Sequence, residues 1–178
     1  MPVPAAPLGT LLAFDFGLSR IGIAVGQTHT RTSNPLETVP NKGDQTWRRI
    51  EELVREWRPA AAVVGLPLDA EGLDTEMSLK ARHFADELKH RTGLSIYFQD
   101  ERLTSRAADE AFIAMRASGA RRRRDSVFKD VIAAGIILEN WLQMVSVEWR
   151  GESLKANLVF AWMFLFRGDF AQAFVYIE

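Results

Sequence analysis

The order of its apolar and amphipathic segments is the feature that most restricts the fold of this chain. The segment LLAFDFGLSRIGIAVG has two apolar runs around a glycine-containing turn, a spacing that predicts a β-hairpin, and we attribute Gly22 to hairpin geometry. The later segments AAVVGLP and LSIYF are short apolar runs and predict two further strands. Because segments of helical periodicity alternate with these strands and also follow them, we predict an α/β fold with a mixed β-sheet flanked by α-helices.

The segments between and after the predicted strands have apolar residues at the intervals that form one face of a helix. Each of these segments also starts at a residue type that caps helices. The expected starts are Asp44, Asp74 or Thr75, Thr104 and Ser126. In α/β folds of this kind ligands bind at the carboxyl ends of the strands, so we expect functional residues at that edge of the sheet.

The composition is that of an ordinary globular protein, and it excludes several kinds of site. The 178 residues are 47% hydrophobic and 25% charged, which suits one α/β domain, and the net charge of −1 gives no overall basic field for nucleic acid. Binding to nucleic acid would therefore depend on local groups of arginine or lysine. The absence of cysteine excludes disulfides, thiolate zinc sites and cysteine nucleophiles, and it suits a cytoplasmic location.

The two ends of the chain differ from its centre. Residues 1–9 contain prolines and no basic residue, so we expect a flexible lead-in rather than a signal peptide. Residues 10–143 contain the predicted strands and helices and form the expected domain. Residues 144–178 are expected to be a C-terminal extension of unknown role. Its apolar run, LVFAWMFLF, is well short of the ~20 residues that a membrane span requires, so no membrane contact is expected.

Acidic residues interrupt the apolar pattern at three places. Asp15 lies within the first predicted strand, and Asp130 shares the apolar face of the last predicted helix. Asp100 and Glu101 follow the last predicted strand, separated from it by Gln99. Carboxylates at such positions are unfavourable unless they are paired or bound to metal, and together they predict a site for Mg²⁺ or Mn²⁺. The alternative is a separate local role for each acid, such as a salt bridge between Asp100 and Arg102.

Four motifs of the chain carry a resemblance to a known family. They are FDFGLSRIGIAVG, VVGLPLDAEG, DERLTSRAA and KDVIAAGIILENWL. With these motifs in this order, the chain resembles the YqgF family, also called RuvX, of RNase H-like resolvases and pre-16S rRNA nucleases. The resemblance implies an RNase H-like fold and a metal-dependent nuclease. Carried over to this chain, it implies that the catalytic metal ligands are Asp15, Asp100 or Glu101, and Asp130.

Arginines near these acids are the candidates for binding the substrate. They are Arg20, Arg102, Arg121, Arg122, Arg123 and Arg124. Guanidinium groups bind phosphate oxygens through paired hydrogen bonds, so these side chains could hold a nucleic-acid backbone. Alternatively, Arg102 forms a local salt bridge, and the run of four arginines is a solvated turn.

The resemblance implies hydrolysis of phosphodiester bonds by a two-metal mechanism. The expected substrate is the 5′ end of pre-16S rRNA, in ribosome biogenesis. One alternative is a Holliday junction resolvase, which would act as a two-fold dimer on branched DNA, and another is a noncatalytic RNA-binding assembly factor. A further alternative is an ATP-binding protein of the actin or sugar-kinase type, because DFGLSRIGIAVG is similar to its phosphate-binding hairpin. Such proteins need two domains of this kind, and this chain has one such hairpin.

Overall fold

The computed structural model describes residues 7–101 and 129–145. The strands and helices are β1 (Thr10–Phe16), β2 (Arg20–Gln27), β3 (Thr32–Pro40), α1 (Asp44–Trp57), β4 (Ala61–Leu66), α2 (Glu76–Thr92) and β5 (Ser95–Asp100). Residues 129–145 are also helical, and this segment is labelled α3. Among the helices of these two ranges, none is long and apolar enough to cross a lipid bilayer.

The five strands form one mixed sheet in the order β3-β2-β1-β4-β5. Strand β2 is antiparallel to both β1 and β3, whereas β1, β4 and β5 are parallel to one another. The predicted hairpin, the two later strands and the mixed sheet are therefore confirmed. Because β1, β4 and β5 run in the same direction, their carboxyl ends lie at one edge of the sheet.

One face of the sheet packs against α1 and α2. Alternate side chains of β1 point to this face, and the rings of Phe14 and Phe16 lie 5.7 and 5.2 Å from the ring of Phe84 in α2. Ile50 and Leu53 of α1 are buried in the same cluster. Each buried side chain of this size stabilises the fold by about 1.5–3 kcal/mol, so this layer forms the main hydrophobic core.

The opposite face of the sheet has glycines where it packs against α3. A methyl group added to Gly22 in β2 would overlap the backbone carbonyl of Asp130, and one added to Gly26 would collide with the side chain of Leu138. A methyl group added to Gly65 in β4 would collide with the side chains of Glu101 and of Ile137 in α3. Hairpin geometry was therefore the wrong explanation of Gly22, because this residue lies inside β2 and is needed for the helix to approach the sheet.

The N-termini of α1 and α2 are capped in different ways. Thr75 is the N-cap of α2 and forms a capping box: its side chain accepts a hydrogen bond from the Ser78 N–H at 3.0 Å, and the Ser78 hydroxyl accepts one from the Thr75 N–H at 2.8 Å. This decides between Asp74 and Thr75. Helix α1 starts at Asp44 as predicted, but the prediction that Asp44 caps it was wrong by one residue, since the N-cap is Gly43. The Asp44 carboxylate still lies in the first turn, where the helix dipole stabilises it.

Strand β3 is a part of the sheet that the sequence pattern did not predict. Its segment TSNPLETVP contains two prolines, which cannot donate hydrogen bonds to a neighbouring strand. Among the strands that the structure describes, β3 pairs only with β2, and proline is tolerated in such an edge strand. A shift of register between Ile23 and Ala24 also interrupts the regular alternation. The pattern of β3 was therefore hidden by features that only an edge position permits.

Helix α3 presents the apolar stripe that the sequence predicted. Within its described residues Ala134, Ile137, Leu138 and Trp141 are buried. The Trp141 ring lies 5.1 Å from the ring of Tyr97 in β5. The start expected at Ser126, and the helix expected from Thr104, lie outside the described residues.

Replacing Gly22 with alanine should destabilise the protein by about 1–3 kcal/mol. The added methyl group meets backbone atoms of α3, which cannot avoid it by changing rotamer as a side chain could. Urea denaturation measures the free energy of unfolding.

Gly135→Ala in α3 is the matched control for this variant. A methyl group there would meet only side-chain atoms, at 3.7 Å or more, and alanine favours a helix over glycine by about 0.8–1 kcal/mol. This variant should be at least as stable as the wild type. Equal stability of the two variants would contradict the close packing of α3 on β2.

Candidate active site

Asp15 lies next to the carboxyl end of β1, opposite Gly22 of β2. Its neighbours Phe14 and Phe16 point towards α2, so the alternation of the strand directs Asp15 to the face covered by α3. Gly22 has no side chain at this point. The carboxyl group of Asp15 is therefore enclosed between the sheet and the helix.

Asp130 enters the site from α3 and points to the sheet, as its place on the apolar stripe predicts. Its Oδ2 accepts a hydrogen bond from the Nε of Arg20, the first residue of β2, at 2.8 Å. The negative charge of Asp130 also raises the pKa of Asp15, so the two carboxyl groups are electrostatically coupled. A helix residue is thus brought to the ends of two strands.

Asp100 and Glu101 reach opposite sides of the sheet. Asp100 pairs with Leu66 of β4, whose side chain belongs to the core under α1 and α2, so the alternation of β5 places Asp100 on that side. Glu101 follows the strand, and its Oε1 lies against Gly65 on the side of α3. The charge of Asp15 raises the pKa of Glu101. Of the two acids that the sequence left open, Glu101 is the one that the fold brings to Asp15.

Two carboxyl groups of this cluster, those of Asp15 and Glu101, have raised pKa values. The pKa of Asp15 is raised to about 6, mainly by burial and then by the charge of Asp130, while the positive charge of Lys129 acts in the opposite direction. The pKa of Glu101 is raised to about 7, mainly by burial and then by the charges of Asp15 and Asp100. Without a cation, the cluster therefore retains a proton up to neutral pH.

Lys129 is a residue of the site that the sequence reasoning missed. It precedes Asp130 in α3, and its charge lowers the pKa of Asp15 against the other influences. The signal that could have found it is the KD pair that opens the motif KDVIAAGIILENWL, because a cation beside a proposed ligand can bind the same phosphate. The site therefore contains a lysine as well as an arginine.

The turn before β2 fixes the backbone that carries Arg20. The Gly17 N–H donates to the Arg20 carbonyl at 3.0 Å, and a Cβ at Gly17 would lie only 2.6 Å from that carbonyl oxygen, so the turn requires glycine. Asn41 braces the same turn: its N–H donates to the Ser19 carbonyl at 2.9 Å, and its Nδ2 donates to the Gly17 carbonyl at 3.0 Å. Arg20 therefore starts from a well-defined position beside Asp130.

Arg20 is the predicted phosphate-binding residue that the structure places at the site. The other arginines predicted for this role lie outside the described residues: Arg102, Arg121, Arg122, Arg123 and Arg124. Their contact with a substrate stays a prediction.

The donor atoms of the cluster fit a hard divalent cation. Asp15, Glu101 and Asp130 offer carboxylate oxygens, which Mg²⁺ and Mn²⁺ prefer. Burial is the main cause of the raised pKa values of Asp15 and Glu101, and the repulsion from neighbouring acids adds to it; a bound cation would counteract both by stabilising the charged carboxylates. Within residues 7–101 and 129–145, however, no three Asp, Glu, His or Cys side chains are placed as a preformed set of metal ligands, so the fit of these three acids is one of donor chemistry and charge and not of spacing.

The chain is similar in sequence to one family model and to curated proteins that share one name. The RuvX family model, described as Holliday junction resolvase, matches residues 9–144. Three curated relatives share the name "Putative pre-16S rRNA nuclease". The protein of Azotobacter vinelandii is 44% identical over 133 residues (74% of this chain and 92% of the relative). That of Hahella chejuensis is 42% identical over 137 residues (76% and 85%), and that of Acinetobacter baylyi is 37% identical over 132 residues (74% and 88%).

Among solved structures, T. thermophilus RuvC in complex with a Holliday junction substrate has a similar fold. The TM-score is 0.51 at 16% sequence identity, and the match covers 76% of this chain and 96% of the RuvC chain. This similarity confirms the predicted RNase H-like fold, with its mixed sheet flanked by helices.

In the cation-free protein, the free energy of unfolding should fall as the pH rises from about 4 to about 7. The folded pKa values of Asp15 and Glu101, about 6 and about 7, lie above the ordinary values of 3.8 and 4.5. Between these values the folded state binds more protons than the unfolded state, so the stability that the protonated groups contribute is fully present below about pH 4 and is lost as the pH rises through about 7. Glu101→Gln should be more stable than the wild type above neutral pH by about 1–3 kcal/mol, since one pKa unit corresponds to about 1.4 kcal/mol.

Urea denaturation with a chelator, at acidic and at mildly alkaline pH, measures this difference. Glu56→Gln removes an exposed carboxylate of α1 and is the matched control, which should keep the pH dependence of the wild type. If Glu101→Gln also kept it, the crowding of carboxylates beside α3 would be contradicted.

Proposed function

This chain belongs to the RuvX family, and on that basis we propose that it is a nuclease that uses divalent cations to hydrolyse phosphodiester bonds. The observation that carries this proposal is the half-buried group of Asp15, Glu101 and Asp130 beside Arg20. Carboxylates that repel one another in a partly desolvated site are unfavourable for stability. Such groups are typical of catalytic sites, where the chemistry requires them.

The proposed mechanism assigns a role to each charged group. Asp15, Glu101 and Asp130 would hold Mg²⁺ or Mn²⁺, which when bound would activate water and stabilise the charge on the phosphate. Arg20 and Lys129 supply positive charge beside these acids and would bind the phosphate oxygens. The Glu101 carboxyl group would give up its retained proton when the site is loaded.

Asp100 has an indirect role in this proposal. It lies on the other side of the sheet by strand alternation, and its charge raises the pKa of Glu101. Asp100 would therefore act on the ligand Glu101 through its electric field rather than by holding the cation itself.

The proposed substrate is the 5′ end of pre-16S rRNA. The support for this choice is the name of the curated relatives, which are 37% to 44% identical to this chain. Holliday junction DNA is the second candidate, because the family model is described as a junction resolvase and the RuvC structure holds such a substrate. The same carboxylates would serve either polymer, since the reaction at the phosphate is the same.

The two substrates place different demands on the protein. Processing of pre-rRNA would take place in the cytoplasm. Junction resolution would require a homodimer that presents two sites to opposed strands. In either case Arg102 and the run 121–124 are proposed to extend the contact along the backbone, because a net charge of −1 gives no general attraction.

Cleavage of labelled pre-16S rRNA and of a synthetic four-way DNA junction, with Mg²⁺ or Mn²⁺, tests the proposal. Asp15→Asn should lower the cleavage rate by at least about 100-fold, because it removes a cation ligand. Mutation of a residue that only hydrogen-bonds to such a ligand already lowers metal affinity or activity by about 10–100-fold. Cutting of the RNA alone would support rRNA processing. Cutting of the junction alone would support the resolvase.

Asp86→Asn removes an exposed carboxylate of α2, which packs on the opposite face of the sheet, and this control should keep full activity. Thermal unfolding shows whether Asp15→Asn is folded. If a folded wild-type protein binds the RNA and cuts neither substrate, a noncatalytic assembly factor replaces the nuclease.

A further inference from the structure

The ion pair between Arg20 and Asp130 competes with the role proposed for each of these residues. The Arg20 Nε donates to the Asp130 Oδ2 at 2.8 Å. Asp130 is also a proposed cation ligand, and Arg20 is a proposed phosphate ligand. A cation on Asp130 would place two positive charges beside each other, and they would repel. Cation binding therefore favours the departure of the guanidinium group.

Arg20 is built so that its side chain can move while its backbone stays in place. Its carbonyl accepts a hydrogen bond from the Gly17 N–H, and its backbone pairs with Pro40 of β3. The side chains of Arg20 and Asp130 are 39% and 25% exposed, and an ion pair with such exposure is weak and readily exchanged. Among the described residues, Asp130 is the only one that accepts a hydrogen bond from this guanidinium group, and Nε is the atom used. The Nη groups provide further donors of the kind that bind phosphate.

We propose that Arg20 is exchanged between two anions: it binds Asp130 in the free protein, and it binds a phosphate of the nucleic acid once Asp130 coordinates a divalent cation. This inference rests on the proposed function, because it requires the cation and the nucleic acid at one site. Arg20 then acts as a positioning residue for Asp130 in the free protein and as a substrate ligand in the complex.

The exchange couples the binding of the two ligands. With the cation alone, Arg20 loses its anionic partner and stands beside a positive charge. With the nucleic acid alone, the negative Asp130 repels the phosphate and retains Arg20. With both ligands, each positive group has an anion to bind. The cation and the nucleic acid therefore strengthen each other's binding, and thermodynamic linkage makes the factor equal for both.

Titration calorimetry of Ca²⁺, with and without a saturating short single-stranded RNA, measures this coupling. Ca²⁺ prefers oxygen ligands as Mg²⁺ does, and gel electrophoresis verifies that the RNA stays intact. RNA should raise the Ca²⁺ affinity of the wild type. In Arg20→Gln the factor by which RNA raises this affinity should be smaller by about fivefold or more. Without RNA, Arg20→Gln should bind Ca²⁺ more tightly than the wild type, because the competitor for Asp130 has been removed.

Two further variants separate the exchange from general effects. Arg49→Gln is the matched control, since Arg49 forms ion pairs with Glu37 and Glu52 and is similarly exposed. It should keep the full coupling, including the general attraction of RNA for cations. Arg20→Lys keeps the charge but has no planar fork of donors, so it should show an intermediate coupling. A purely structural role of Arg20 would instead lower both the thermal stability and the Ca²⁺ affinity of Arg20→Gln.

The possible outcomes distinguish the exchange from the proposed function. Unchanged coupling in Arg20→Gln, or weaker Ca²⁺ binding by that variant without RNA, overturns the exchange and leaves the nuclease proposal intact. If the wild type binds no more Ca²⁺ than Asp15→Asn does, the cation site is overturned, and both proposals fall with it.

Discussion

The close approach of α3 to the sheet is the interaction on which the candidate site depends. Gly22 lies under the backbone of the helix at Asp130, and Gly26 and Gly65 lie under side chains further along it. Any side chain at Gly22 would push the helix away from β2. Because Asp15 is opposite Gly22 in the same pair of strands, the contact that seats the helix also sets the distance between two of the acids.

The same packing creates an electrostatic conflict in the free protein. Asp15 and Glu101 are raised in pKa, chiefly because the layers that hold them exclude water, and each is raised further by a neighbouring acid. Arg20 relieves part of this conflict at Asp130, and Lys129 relieves part of it at Asp15. A cation and a phosphate would satisfy the same charges in another way, which is why a site that is unfavourable when empty can be selected for binding.

The limits of sequence reasoning are clearest at particular residues. Thr75 and Asp74 are both good caps, and only the hydrogen bonds with Ser78 decide between them. Lys129 is marked in the sequence only by its position before Asp130, and its importance comes from its proximity to Asp15. Strand β3 lacks a strand-like sequence because its edge position tolerates proline, and an edge position is a property of the whole sheet.

The sequence by itself determined the order of the hairpin, of the later strands and of the helices between them, because periodicity and turn residues act over a few neighbouring positions. It also determined which acids stand in apolar surroundings. Only the tertiary structure decided that Glu101 rather than Asp100 is brought to Asp15, and that Arg20 reaches Asp130. The physical reason is that strand register, the facing of side chains and the seating of α3 bring together residues that are far apart in the chain, and no local pattern encodes those distances.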